Sequence, residues 1–150
     1  MKIRIPPPIY ALMFGFFMWM FEAIFPLFYW LPYAWRGLAW LPAIVGLIVV
    51  AIALVQFMQQ KTTPDPFHPE RARELVISGL YRYSRNPMYL GMLILLVAWA
   101  VYLRNMSSLL LLPIFMWMLT TQQILFEEAA LRDKFGNSYE AYLKRVRRWC

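Results

Sequence analysis

Four long apolar runs divided by polar stretches set the pattern of this chain: Ile9–Leu31, Leu38–Met58, Met88–Leu103 and Leu109–Phe126. A helix needs about 20 residues to cross a bilayer, within a range of about 17–25. The first two runs meet that length. The last two are short and are divided only by Arg104-Asn105-Met106-Ser107-Ser108, which predicts a tight helical hairpin, with a re-entrant pair as the alternative. Pro26 inside the first run predicts a kink. Glu22, in the middle of the same run, is a functional candidate by position; a hydrogen-bonded structural carboxylate facing the bundle is the preferred reading. Trp19, Trp30, Tyr33, Trp35 and Trp40 read as interfacial aromatics. The expectation is an all-α integral membrane helical bundle of about four transmembrane helices, a single domain over residues 1–150, with a C-terminal amphipathic segment.

That segment places Leu131, Phe135, Tyr139, Tyr142, Leu143, Val146 and Trp149 at near-helical spacing. Gly136 breaks the pattern, and Asn137 with Glu140 reads as a cap-like restart. The polar stretch 59–87 is long for a helix connection, and such loops tend to carry function or stay unstructured. Pro69 followed by Glu70 to Val76 suggests a short surface helix, and His68 a surface loop residue.

Composition sharpens this picture. At 61% hydrophobic and 15% charged residues, the chain is too apolar for an ordinary soluble domain. The net charge of +7 could suggest nucleic acid, but the basic residues sit beside apolar runs, as in loops facing an anionic membrane surface. With four crossings, thirteen of the 15 Lys and Arg residues fall on one side and only Arg36 and Arg104 on the other. Both termini and the 59–87 loop are therefore expected to be cytoplasmic. A cleavable signal peptide is not expected. Cys150 is the single cysteine, so no cysteine metal cluster or internal disulfide is expected.

The candidate chemistry lies in Gly79-Leu80-Tyr81-Arg82-Tyr83-Ser84-Arg85-Asn86-Pro87-Met88-Tyr89-Leu90-Gly91 and in Glu127-Glu128. Dense polar groups at the mouths of membrane spans are costly unless used. Asn86-Pro87 reads as an N-cap with proline at the first helical position. The amides and positive dipole end of that helix can receive an anion.

The ordered set Leu75-Val76, Gly79, Tyr81, Arg85-Asn86-Pro87, Tyr89, Gly91, Glu127-Glu128, Phe135-Gly136, Tyr139 and Tyr142 resembles the isoprenylcysteine carboxyl methyltransferase family and the related phospholipid methyltransferases. It covers roughly residues 61–149. The resemblance implies an S-adenosylmethionine-dependent membrane enzyme with a cytoplasmic cofactor site and a lipophilic or lipid acceptor. It implies cofactor contacts from Leu75, Val76, Tyr81, Asn86, Pro87, Met88 and Tyr89, with Glu127 binding the amino-acid part. Arg85 and Glu128 are the catalytic candidates. Many members have histidine where this chain has Asn86, which can hydrogen-bond but cannot act as a base. In the eukaryotic prenylcysteine enzymes an arginine one helical turn before the first glutamate holds the substrate carboxylate. Here Gln123 takes that substrate-binding position without a charge, which puts a prenylcysteine acceptor in question. An ionised carboxylate acceptor needs no base. An amine acceptor does, and Glu128 is then the candidate. A lipid or small lipophilic amine N-methyltransferase, and a non-catalytic membrane scaffold, are the alternatives.

Overall fold

The computed structural model describes residues 5–59 and 75–150; the expected surface helix after Pro69, with His68, lies largely outside them. Helix α1 (Pro7–Ile24) is followed by a 3₁₀ segment (Tyr33–Ala39) that runs into α2 (Trp40–Gln59). A 3₁₀ turn (Gly79–Arg82) leads to α3 (Pro87–Leu103). Then come α4 (Met106–Leu119), a π-helical turn (Thr120–Ile124) and α5 (Leu125–Phe135) in one continuous rod, and finally α6 (Asn137–Arg145). No strand occurs among the described residues; one isolated bridge joins Tyr29 to Asn105. The all-α membrane bundle expected from the apolar runs is the fold observed.

Three helical stretches are long and apolar enough to cross a membrane: Pro7–Ile24, Tyr33–Gln59 and Met106–Phe135. The fourth, α3, has 17 residues, about 26 Å at 1.5 Å per residue. The fourth apolar run is thus not short: its helix continues through Glu127-Glu128 to Phe135, because the residues beyond the run are themselves good helix formers.

The core is built from residues one turn apart. Tyr10, Phe14 and Met18 of α1 meet Met92, Leu96 and Ala100 of α3, and Phe115 and Leu119 of α4. Phe14 meets Phe115 edge-on, with centroids 5.3 Å apart. Helix α2 fully buries only Gly46 and Ala53; much of its apolar surface, including Leu41, Ile44, Val45 and Leu47, stays exposed, as suits a helix solvated by lipid. It meets α3 through glycines. A Cβ on Gly91 would lie 2.5 Å from Val50 Cγ2 and 3.0 Å from the Gly46 carbonyl oxygen. Small residues are what allow two membrane helices to approach this closely.

Two expectations for the first run are corrected. Pro26 does not kink a helix; it ends one. Phe25 takes φ −130° and ψ 63° as the C-cap of α1, the departure from helical geometry that a following proline favours. Glu22 consequently lies in the last turn of α1 rather than mid-helix, where it accepts a 2.9 Å hydrogen bond from the Tyr29 hydroxyl.

The α3–α4 hairpin is tighter than the polar stretch suggested. Arg104 adopts a left-handed φ of 61°, and Asn105 caps α4 by accepting from the Ser107 amide at 3.0 Å. Residues 28–30 close over it, through Trp30 N–H to the Arg104 carbonyl and Met106 N–H to the Phe28 carbonyl, both 3.0 Å.

Candidate active site

Three segments meet where α3 begins. The first is the 3₁₀ turn, placed by Gly79. Its φ of +61° suits glycine, and a Cβ there would collide with the Gln56 side chain. Gln56 instead accepts the Leu80 amide at 3.0 Å, tying the turn to α2. Tyr81 is thereby buried, and its ring lies 6.2 Å from that of Phe57. Burial, then Tyr142 and Glu127, raise its pKa above the ordinary tyrosine range.

The second segment is the π-helical turn. Pro113 inside α4 withholds one backbone donor, and the wide turn begins seven residues later. Thr120 and Thr121 bond back to the Met116 and Trp117 carbonyls at 2.7 and 3.0 Å, supplying donors where the regular ladder is disturbed. Three turns on from Phe115, an uninterrupted α-helix would bring Phe126 to the inner face. Phe126 is instead 38% exposed, while Gln123 (2%) and Glu128 (7%) are buried. The inserted residue rotates Glu128 inward and leaves Glu127 half-buried.

Those carboxylates have separate surroundings. Glu127 Oε1 accepts from the Tyr89 hydroxyl at 2.6 Å and from Gln123 Nε2 at 2.9 Å. Gln123 is therefore directed at Glu127, in a cluster of buried Tyr89 and Gln123 with half-buried Glu127. Glu128 is held by arginines: Arg148 donates from Nε at 2.9 Å and from Nη2 at 2.8 Å, and Arg85 Nη1 lies 3.3 Å away. Arg85 Nε is buried without a partner among the described residues.

The third segment is the end of the tail, which the sequence suggests as part of an amphipathic helix; the helix instead stops at Arg145, and Val146 is extended at φ −123° and ψ 133°. After α6 the chain extends as a strap, Val146–Trp149. The Arg148 carbonyl accepts from Asn86 Nδ2 at 3.0 Å and Ser84 Oγ at 3.4 Å. The Arg147 carbonyl accepts the Arg85 amide at 3.0 Å, and the Trp149 indole donates to Thr120 Oγ1 at 3.3 Å. The strap thus runs from the start of α3 to the π turn. Within the Lys144–Arg148 basic run, nothing in the sequence distinguishes Arg148 from its neighbours; only the pairing with Glu128 does.

Asn86 occupies the N-cap position of α3, with Pro87 first in the helix, but its side chain does not cap the helix; it is committed to the strap. Pro87 and Tyr89 are buried and Met88 is half-buried. Leu75 packs on the cluster of Tyr139, Tyr142 and Val146, and Val76 is buried. The Tyr142 hydroxyl donates to the Tyr81 carbonyl at 2.6 Å. Burial and the Glu128 charge push the Tyr139 pKa up to about 12, against the opposing pull of Arg85. The cap-like restart at Asn137 falls one residue earlier, on Gly136 with φ +48°. No cluster of metal-ligating side chains occurs among the described residues.

A helical membrane bundle with a partly buried carboxylate–tyrosine–amide cluster at one end is the class that fold and site define. The profile of the phospholipid methyltransferase family matches residues 35–138, and the chain belongs to that family. Among its curated relatives is a "Probable protein-S-isoprenylcysteine O-methyltransferase" of Oryza sativa subsp. indica, 33% identical over 114 residues, 71% of this chain and 60% of that one. The Protein-S-isoprenylcysteine O-methyltransferase of Schizosaccharomyces pombe is 42% identical over 72 residues, 48% of this chain and 30% of its own length. The Arabidopsis thaliana Protein-S-isoprenylcysteine O-methyltransferase B is 31% identical over 103 residues, 69% of this chain and 52% of its own. These matches bear out the resemblance to the isoprenylcysteine carboxyl methyltransferase family. The chain spans about 60% of the length of the first of these relatives. No solved structure gives a significant match.

Proposed function

We propose that this chain is an S-adenosylmethionine-dependent membrane methyltransferase acting on a lipophilic acceptor, in the manner of the isoprenylcysteine carboxyl O-methyltransferases. The observation that carries the reading is the Tyr89–Gln123–Glu127 cluster beside the start of α3. Its donor set suits the amino-acid part of the cofactor. Two hydrogen bonds orient the Glu127 carboxylate, the natural partner of an ammonium group. The first amides of α3, uncapped by Asn86, suit a carboxylate. Tyr81, Pro87 and Met88 complete the wall, with Leu75 and Val76 behind the turn.

The cofactor supplies an electrophilic methyl on a sulfonium. The chain's part is alignment and exclusion of water. Buried Tyr81 and Tyr89 and the overlying strap serve the second purpose. In this proposal Arg85 and Glu128 act by position. Glu128 is engaged by two guanidiniums, from Arg148 and Arg85, rather than directed at an acceptor. That arrangement favours an acceptor already ionised, such as a carboxylate, over an amine needing a base. Gln123, turned toward Glu127, adds no charge for that carboxylate, so a short prenylcysteine analogue should be a poor substrate. With four crossings, thirteen of the 15 basic residues would share one side, which favours both termini and the cofactor site being cytoplasmic.

Calorimetry with the demethylated cofactor tests the enzyme reading directly. Binding in the micromolar range, on the order of −8 kcal/mol, is expected for wild type, with Glu127→Ala weakening it by roughly 1.5–3 kcal/mol. Absence of binding to folded wild-type protein would falsify it. Release of a base-labile methyl ester from a radiolabelled lipid acceptor separates O- from N-methylation.

A further inference from the structure

The end of the bundle away from Glu127 carries a second cluster that methyl transfer does not use. A groove of about 480 Å³ is lined by Tyr33, Ala34, Arg36, Gly37, Trp40 and Tyr102. The Arg36 guanidinium lies 4.2 Å from the Tyr33 ring centre and 5.8 Å from that of Tyr102. Arg104 lies 4.9 Å from the same Tyr33 ring and 5.0 Å from Tyr29. Tyr89 and Tyr102 stand near opposite ends of α3, about 20 Å apart at 1.5 Å per residue, so the groove is a separate place.

Two guanidiniums share one tyrosine ring, yet neither forms an ion pair with a carboxylate among the described residues. Glu22, the acidic residue at this end, is engaged by the Tyr29 hydroxyl. Like charges drawn together by ring faces repel unless an anion joins them. Around them the surface is apolar and aromatic: Trp35, Trp40 and Leu41 are exposed, and the exposed face of α2 leads away from the groove. A guanidinium matches phosphate in geometry, and an apolar face beside it matches acyl chains. We propose that this groove binds one anionic phospholipid, its phosphate at Arg36, with Arg104 adding positive charge from beside the groove, and its chains along α2, in the leaflet opposite the Glu127 site.

Native mass spectrometry of delipidated protein, titrated with phosphatidylglycerol, phosphatidylcholine or inorganic phosphate, tests this. One phosphatidylglycerol should be retained in preference to phosphatidylcholine, and R36Q/R104Q should lower its apparent affinity at least tenfold. Because Arg104 also reaches the Leu31 carbonyl at 3.4 Å, the double variant could unfold the hairpin. Arg36→Gln alone, whose described contacts are with tyrosine rings, should still give a several-fold loss. Lys144→Gln removes an exposed charge on α6 and should leave retention intact. Equal retention of the two lipids, undiminished binding in Arg36→Gln, an equal loss in Lys144→Gln, or displacement of the lipid by millimolar inorganic phosphate would each overturn the proposal.

Discussion

Replacing Arg148 with methionine keeps most of the side chain's apolar stem and removes the guanidinium that closes the strap. Two charge-assisted hydrogen bonds to Glu128, at 2.9 and 2.8 Å, are lost. Such bonds contribute about 1.5–3 kcal/mol each when well buried. The Arg148 side chain is 33% exposed, so solvent screens it, and Arg85 at 3.3 Å continues to compensate Glu128. Both facts reduce the cost to about 1–2 kcal/mol. The bonds from the Asn86 and Ser84 side chains to the Arg148 carbonyl do not need the guanidinium, so the strap should loosen rather than detach. If the strap covers the cofactor, binding of the demethylated cofactor should weaken about tenfold, the equivalent of 1.4 kcal/mol. Glu128→Gln should cost more, because it leaves two arginines facing each other. In the double variant the two losses should not add, with a coupling on the order of 1 kcal/mol. Thermal unfolding in detergent and calorimetry, run on all four proteins, give the cycle. Additive effects, or an Arg148→Met protein that binds like wild type, would refute the strap as a clamp.

Tyr89→Phe removes the 2.6 Å hydrogen bond to Glu127 with little change in shape; a loss of about 1 kcal/mol in cofactor affinity is expected, read by the same calorimetry. Gly91→Val drives side-chain atoms into Val50 and the Gly46 backbone; overpacking of this kind costs about 1–3 kcal/mol, so the melting temperature in detergent should fall, while Gly37→Ala, with open space around its Cβ, should be near neutral. Alkaline pH should destabilise the fold: an unfolded tyrosine ionises near pH 10, whereas Tyr139 holds its proton to about 12 and Tyr81 and Tyr142 are shifted the same way. The native state then keeps protons that the unfolded state sheds, so this stabilisation is intact below pH 10 and is lost as pH rises from 10 through about 12; a melting temperature flat across that range would contradict it.

Some of this architecture is local and therefore legible in sequence. The apolar runs gave the helices, Asn86-Pro87 marked the start of α3, and the Arg104-Asn105 break marked the hairpin, because each depends on a few adjacent residues. Pro26 was misread for an equally local reason: a proline near the end of an apolar run can kink a helix or stop it, and only the chain's turn back toward Asn105 selects the stop. The strap depends on Ser84, Asn86 and Thr120 meeting residues 29 to 64 positions away. No periodicity reports such contacts.

The π turn shows most sharply where pattern reading ends. Hydrophobic periodicity carried forward from Phe115 and Leu119 puts Phe126 inside and leaves the glutamates to whichever face the helix happens to turn. One inserted residue reverses that: an aromatic side chain faces outward and a glutamate becomes buried. Exposing a phenylalanine costs little against lipid, whereas in water it would forfeit much of its burial energy. A buried glutamate is tolerable only with paired charge, which Arg85 and Arg148 provide from elsewhere in the chain. The local anomaly and the distant strap are therefore one device. The wide turn aims Glu128 inward, the strap's arginine neutralises it, and Glu127, one residue earlier, is left facing Tyr89 and Gln123.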